Sequence, residues 1–274
     1  MASILLTGAS GLVGSRLLPR LADADFDVRA LVRREIDLPA KTTALRGDLN
    51  DPESLPQTLE GVEAILHFAA LFRTDDEDAI WKANLDGTRN LIAAAEAHAP
   101  DARFIMASTG NVYNPDSPRP SRESDSCTPS AAYPASKLAA EGLLRESALT
   151  WSILHLPFVY VRRRRTPRDD PDARGTLRPA PRPHLLRGPP PRHHDRGRIA
   201  PNGAMDHQIV NITDDGPVTV YEMAELVGNP LEGSAEPLAN PWSGRMDPSL
   251  LTSDAAVINP CPSLPPAPPP AVTG

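Results

Sequence analysis

The chain of 274 residues holds only two cysteines, Cys127 and Cys261. Two thiols cannot build a disulfide framework, and they lack the spacing of metal ligands, so no metal site is expected. No stretch approaches the ~18 uninterrupted apolar residues of a membrane helix, so no such span is expected either. The opening MASILLTGAS lacks the cationic flank and long apolar core of a signal peptide. A reducing, cytoplasmic setting is the expectation. Lysine is scarce as well: Lys41, Lys82 and Lys137 stand against 25 arginines.

What is present suffices for one large α/β domain, or a domain with a smaller lobe, at 40% apolar and 23% charged residues. The net charge of −7 hides a split. Residues 161–200 carry twelve arginines against four aspartates, a local surplus of +8 that leaves −15 for the rest. Eight prolines lie in the same window, and eleven more follow between Gly228 and Gly274. Composition thus separates an ordinary globular part, residues 1–160, from an Arg/Pro-rich irregular segment at 161–207. A shorter ordinary stretch occupies 208–247, and a Pro-rich tail expected to be disordered covers 248–274.

Within the first part, apolar runs alternate with helical periodicity. Ser3–Thr7, Asp27–Val32, Thr43–Leu45, Ala64–Phe68, Arg103–Ala107 and Trp151–Leu156 read as strands. Ser15–Ala24 reads as a helix with Pro19 tolerated in its first turn, and Asp51–Leu59 as a second. Ile80–His98 and Tyr133–Ala148 read as two long helices; Trp81 and Trp151 are core or helix-packing residues. Strands alternating with helices predict βαβ units, hence a Rossmann-type doubly wound parallel sheet.

TGASGLVG places Gly8, Gly11 and Gly14 between the first strand and the first helix. Gly8 permits a tight turn, Gly11 lets backbone N–H groups approach a pyrophosphate, and Gly14 lets helix and strand pack closely. The helix N-terminus then attracts the phosphates. The second strand ends Leu31-Val32-Arg33-Arg34 with no acid. Arg33, alone or with Arg34, suits the 2′-phosphate of NADP, while nearby Glu35 keeps NAD open. Tyr133 and Lys137 stand four apart, on one helical face. A lysine close by, helped by a cationic nicotinamide, would bring the phenol toward a working range from its ordinary value of about 10. Ser108 and Thr109 fall at the carboxyl end of the fifth strand, where open α/β sheets bind ligands.

TGASGLVG, GDL (Gly47–Leu49), HFAA (His67–Ala70), NLDGTRNL (Asn84–Leu91), STGNVY (Ser108–Tyr113), YPASK (Tyr133–Lys137) and LPFVY (Leu156–Tyr160) together resemble the extended short-chain dehydrogenase/reductases, the NAD(P)-dependent epimerase/dehydratase family. The likeness covers about the first 160 residues. It implies a dinucleotide held by Gly8, Ser10, Gly11, Leu12, Val13 and Gly14, with Asp48 on the adenine amino group and Leu49 against the ring. Ala69 and Ala70 would line the pyrophosphate path, and Arg33, Ser108, Pro157, Phe158 and Val159 would complete the cofactor surface. Asn84 would serve the cofactor loop or, equally, act as a cap or packing amide. Thr109 would orient the reacting oxygen, Tyr133 would be the acid/base, and Lys137 its partner on the nicotinamide ribose. The implied reaction is hydride transfer at nicotinamide C4 to or from a small carbonyl compound or nucleotide sugar, with epimerase, dehydratase or reductase outcomes. The family also implies a homodimer through helices 80–98 and 133–148.

After Tyr160 the likeness breaks. Residues 161–207 show neither hydrophobic periodicity nor the family's usual continuation, so the substrate lobe is expected to be small and incomplete or disordered. Residues 208–228, QIVNITDDGPVTVYEMAELVG, resemble the family again as strand, turn and helix, so 208–247 is expected to be a remnant of the substrate-binding lobe. A shifted reading frame in GC-rich DNA accounts for bulk Arg, Pro, Gly and His at 161–205 and after about 250. An arginine arm for nucleic acid is the weaker alternative, because interleaved lysines and aromatics are missing. His193-His194-Asp195 reads as a solvated loop, and the terminal prolines as a disordered tail before a polyproline ligand. Two functions therefore stand: an NADP-preferring oxidoreductase or epimerase, and a non-catalytic dinucleotide-binding protein acting as a redox sensor or a decayed enzyme.

Overall fold

Among the described residues, the apolar runs of the sequence become seven strands of one parallel sheet. They are β1 (Ser3–Thr7), β2 (Asp27–Val32), β3 (Thr42–Arg46), β4 (Ala64–His67), β5 (Arg103–Thr109), β6 (Thr150–Leu156) and β7 (Gln208–Asn211). Their order is β3-β2-β1-β4-β5-β6-β7. A computed structural model describes residues 1–157, 159, 205–213, 244–247 and 249, all within one compact unit. The arginine-rich window, Phe158, the helix expected after β7 and the proline-rich tail lie outside the described residues. So does the question of a shifted reading frame.

Side chains alternate across the sheet and build a core on each face. Leu5, Ile65, Phe104, Met106 and Ile153 share one core with Leu91, Ile92 and Leu144 of the helices above them. Ile4, Leu6, Val28, Leu66 and Ile105 point the other way, toward Leu18 of the first helix. Burial on both faces is why these strands are nearly continuous apolar runs, as a doubly wound fold requires.

Helix α1 (Gly14–Asp23) follows β1, and α2 (Pro56–Leu59) follows β3. Next come α3 (Glu77–Trp81), a π turn at Lys82–Asp86, α4 (Gly87–His98) and α5 (Ala132–Glu146). Four details depart from the sequence expectation. Pro19 is the sixth residue of α1 and not in its first turn, so the helix forgoes one backbone bond there. Asp51–Leu59 is a 3₁₀ turn at Pro52–Ser54 and then α2, because Pro56 has no N–H to continue one ladder. The helix expected from Ile80 starts at Glu77, where the Asp76 carboxylate caps Ala79 N–H at 2.9 Å, and it is interrupted by the π turn. Strand β5 runs on to Thr109 because Ser108 and Thr109 pair with His155 and Leu156.

Strand β7 extends the sheet beside β6, with Ile209 opposite Ile153 and Val210 opposite Leu154. No helix among the described residues is long and apolar enough to cross a membrane. Strand β1 lies between β2 on one side and β4 on the other, so the strand order reverses there. The crevice above their carboxyl ends is where an open α/β sheet accepts ligands.

Candidate active site

That crevice is a cleft of about 570 Å³ above the ends of β1, β2 and β4. The glycine turn forms one wall. Gly8 has φ +73°, and a Cβ there would lie 2.6 Å from the Ala69 nitrogen. A Cβ on Gly14 would overlap the Gly8 carbonyl group. The two glycines thus let β1, the β4 loop and α1 meet, and the turn closes on itself as Gly11 N–H donates to Gly8 O at 2.9 Å and Ser15 N–H to Gly11 O at 3.0 Å.

Of the residues expected to hold a cofactor, Gly8, Ser10, Gly11, Arg33, Asp48, Leu49, Ala69 and Ala70 line this cleft. Leu12 and Val13 belong to the same turn, Val13 as the residue before α1, but are not on the cleft wall. Arg34 joins Arg33 at the wall, both exposed at the end of β2. Asp48 accepts from Asn50 N–H at 3.0 Å, which fixes its carboxylate after β3. Pro157 and Val159 follow β6 as exposed residues.

Beneath the cleft runs a buried chain that sequence reading missed. The Ala69 N–H donates to Thr7 Oγ1 at 3.2 Å, and the Thr7 hydroxyl meets His67 Nδ1 at 2.8 Å. His67 Nε2 lies 2.9 Å from Thr88 Oγ1, whose own proton goes to the Asn84 carbonyl at 2.6 Å. Thr88 must therefore accept, so His67 carries its proton on Nε2 and takes the Thr7 proton at Nδ1. Burial, aided by the Lys137 charge, depresses His67 from 6.5 to about 3. It is a neutral strut.

Asn84, in the π turn, is 1% exposed. Its Oδ1 accepts from Leu71 N–H at 2.8 Å, and its Nδ2 donates to Leu71 O at 2.9 Å and to Ser136 Oγ at 3.0 Å. Of the two alternatives the packing amide is what these bonds show, and what it holds is Leu71, next to Ala69 and Ala70.

Helix α5 brings the remaining residues together. Tyr133 is its second residue, and Lys137 follows one turn later on the buried side. Tyr133 faces Thr109 at the end of β5. Burial pushes the phenol above its ordinary value while Thr109 pulls it down. In the protein alone burial thus dominates the phenol, and the depression expected from Lys137 with a cationic nicotinamide is not seen. Burial lowers Lys137 itself from 10.5 to about 8, against the attraction of Glu141. Ser108 turns away from the cleft and donates its hydroxyl to Glu141. Phe72 stands on the other side of Tyr133, ring centres 5.5 Å apart, with Arg73 over it.

Glu141, His155 and Asn211 also escaped the sequence reading, and all are buried. The available signal was a polar residue inside an otherwise apolar strand, His155 in SILHL and Asn211 in QIVN. Buried polar groups demand partners.

The profile of the NAD dependent epimerase/dehydratase family matches residues 4–170. The chain is 34% identical over 150 residues to N-acetyl-alpha-D-glucosaminyl-diphospho-ditrans,octacis-undecaprenol 4-epimerase of Escherichia coli O157:H7, covering 53% of this chain and 43% of that one. It is 30% identical over 161 residues to ceramide reductase of Caulobacter vibrioides, covering 57% and 46%. A short-chain dehydrogenase/reductase superfamily protein from Agrobacterium tumefaciens, solved with bound NAD, superposes with TM-score 0.51 at 31% identity, over 57% of this chain and 49% of that one. MoeE5 in complex with UDP-glucuronic acid and NAD gives 0.53 at 29%, over 58% and 56%. The match thus spans less than half the length of either curated relative.

Proposed function

The chain belongs to the NAD dependent epimerase/dehydratase family, and on that footing we propose that it interconverts a hydroxyl and a carbonyl on a nucleotide sugar or small carbonyl compound. Tyr133 is the acid/base in this reading. The observation that carries it is the approach of Tyr133 to Thr109 at the carboxyl end of β5, whose hydroxyl acts to lower the phenol, with Lys137 one turn along the same helix.

A nicotinamide dinucleotide fits the residues present. Gly8, Gly11 and Gly14 bring no Cβ into the turn that would cradle the phosphates, and Asp48 and Leu49 on the same cleft would take the adenine. When bound, it supplies or takes up the hydride. The chain's residues do the rest. Thr109 holds the reacting oxygen beside the phenol, and Tyr133 gives or takes the proton at that oxygen. Lys137 bonds the nicotinamide ribose, and its charge with that of the bound ring lowers the phenol that burial has raised. Arg33 favours NADP, and a cytoplasmic setting belongs to the same reading. A homodimer through the two long helices would use their outer sides, since Leu91, Ile92 and Leu144 are buried in this chain's own core.

Fluorescence titration with NADPH and NADH, followed by turnover assays across nucleotide sugars and carbonyl compounds, tests the proposal. Tyr133→Phe should abolish turnover and leave dinucleotide binding largely intact. Equal turnover in that variant would remove Tyr133 from the mechanism. Tight binding with no turnover by the unaltered chain would favour a non-catalytic dinucleotide-binding protein.

A further inference from the structure

Behind the phenol, buried polar groups form a chain whose hydrogen-bond directions are fixed from one end. Asn211 Nδ2 donates to the carbonyl oxygens of Ser121 and Asp247, at 3.1 and 3.3 Å. Its Oδ1 therefore faces Tyr113 and accepts from that phenol at 2.9 Å. With its own proton committed, the Tyr113 oxygen accepts from His155 Nδ1–H at 2.7 Å. The other ring nitrogen, Nε2, lies 3.2 Å from Glu141 Oε1.

A neutral imidazole protonated at Nδ1 turns a lone pair on Nε2 toward that oxygen. Against a bare carboxylate this sets two acceptors face to face with no proton between them. Water does not relieve the conflict, because Glu141 is 1% and His155 0% exposed. Glu141 Oε2 is also buried and has no hydrogen-bond partner among the described residues. An unpartnered oxygen at such depth is a second argument against full negative charge on Glu141.

We propose that Glu141 and His155 hold one buried proton between them, and that this electrically neutral pair, not a bare carboxylate, stands one helical turn from Lys137 and sets its charge. The inference deepens the function proposed above and rests on it for the role of Lys137. On nitrogen or on oxygen, the proton leaves the pair with no net charge. The His155 proton offsets the pull of Glu141 on the Lys137 ammonium, so the burial that already holds Lys137 well below 10.5 acts with less opposition. The titratable groups facing the pair are Lys137 on α5 and Tyr113 after β5, with Glu123 and Asp125 acting on Tyr113 from the loop beyond it. Glu141 and His155 are positioning residues, acting through Lys137.

NADPH affinity of the full chain, titrated by fluorescence from about pH 6 to about pH 10, tests this. The unaltered protein should lose affinity with a midpoint at or below about 8, as Lys137 loses its proton. Lys137→Met should remove the step. His155→Asn keeps a donor toward Tyr113 but cannot hold the shared proton. It should raise the midpoint by about one pH unit or more, the scale of an uncompensated neighbouring charge. Glu141→Gln added to His155→Asn should return the midpoint toward the original. An unmoved midpoint in His155→Asn, with the step still abolished by Lys137→Met, overturns the shared proton and leaves the proposed function standing. If Lys137→Met retains the step, the assigned role of Lys137 fails instead. Nitrogen-15 NMR of the unaltered chain then decides the pair independently, and also does so if a variant fails to fold. Nδ1 protonated with Nε2 engaged in a shared proton supports it, and a bare Nε2 throughout overturns it.

Discussion

Asn84 and Ser136 are joined by a hydrogen bond of 3.0 Å from Nδ2 to Oγ, which ties the π turn to the helix bearing Tyr133 and Lys137. Ser136 in turn donates to the Tyr133 carbonyl at 2.8 Å, so the tie reaches the backbone of the phenol itself. Because Asn84 also holds both backbone groups of Leu71, one buried amide registers the 68–71 loop against α5. The insertion of a π turn turns Asn84 inward at this point, a device common at functional sites.

Asn84→Ala should cost both stability and affinity. It strands the Leu71 N–H and C=O, and each buried backbone group left without a partner costs about 1–3 kcal/mol. For a protein of this size each kcal/mol lowers Tm by ~2–4 °C. Thermal unfolding reads the first effect, and NADPH titration should show weaker binding from the loosened 68–71 loop. An unchanged Tm would show that water replaces the amide.

The glycine turn separates packing from backbone strain. Gly8→Ala drives a Cβ to 2.6 Å from the Phe68 carbonyl carbon and the Ala69 nitrogen, at φ +73°. Gly61 has φ +66° but nothing within 4 Å of its Cβ position. Gly61→Ala should therefore cost only the left-handed backbone penalty of ~1–2 kcal/mol, with dinucleotide binding preserved. Gly8→Ala should cost more and lose binding by at least about tenfold, roughly 1.4 kcal/mol. Paired unfolding and fluorescence titrations distinguish the two.

The strands, the parallel sheet and the ends of β1 and β2 were legible because burial on both faces writes itself as short apolar runs. The glycine turn was legible because close approach of backbones admits few residues. Helix interruptions were not. The pattern of residues 80–98 is compatible with one helix, and only the fit of Asn84 to Leu71 and Ser136 favours the π turn. The network of Glu141, His155, Tyr113 and Asn211 was invisible for another reason: its members are up to 98 residues apart, and no local period relates them. Ser108 shows the same limit, since its place at the strand end suggested the cleft while its hydroxyl serves Glu141.

Arg33 should decide between the two dinucleotides. It lines the cleft at the end of β2, with Arg34 beside it. A guanidinium there gains from a 2′-phosphate and gains nothing from a 2′-hydroxyl. Arg33→Ala should weaken NADPH about tenfold or more, the ~1.5–3 kcal/mol of a charged hydrogen bond, and leave NADH within about twofold. Equal losses for both would mean that Arg33 supports the loop and does not read the phosphate.

His67 should govern the acid limb of stability. Its folded value near 3 lies well below its ordinary 6.5, so between these values the unfolded chain binds a proton that the folded chain refuses. Its neutral-state stability is complete above about pH 6.5 and is lost progressively as pH falls toward 3. The scale is about 4–5 kcal/mol. His67→Gln removes the titrating group, so its acid-unfolding curve should be shallower than that of the unaltered protein across this window. Curves that differ by a constant offset would assign acid unfolding to other groups.

Lys137 works in the opposite half of the pH scale. Its folded value of about 8 lies below 10.5, so from pH 8 to 10.5 the unfolded chain holds a proton that the folded chain has released. Stability therefore rises with pH across that window, and below it the buried ammonium costs the fold about 3 kcal/mol. Lys137→Met should raise Tm near neutrality by ~6–12 °C while abolishing the proposed turnover. The gain should shrink as pH climbs through the window. Thermal melts at about pH 7 and about pH 10 measure it: a Lys137→Met protein no more stable than the original at neutrality would mean that the ammonium is solvated in solution, and that α5 opens enough to admit water beside Glu141.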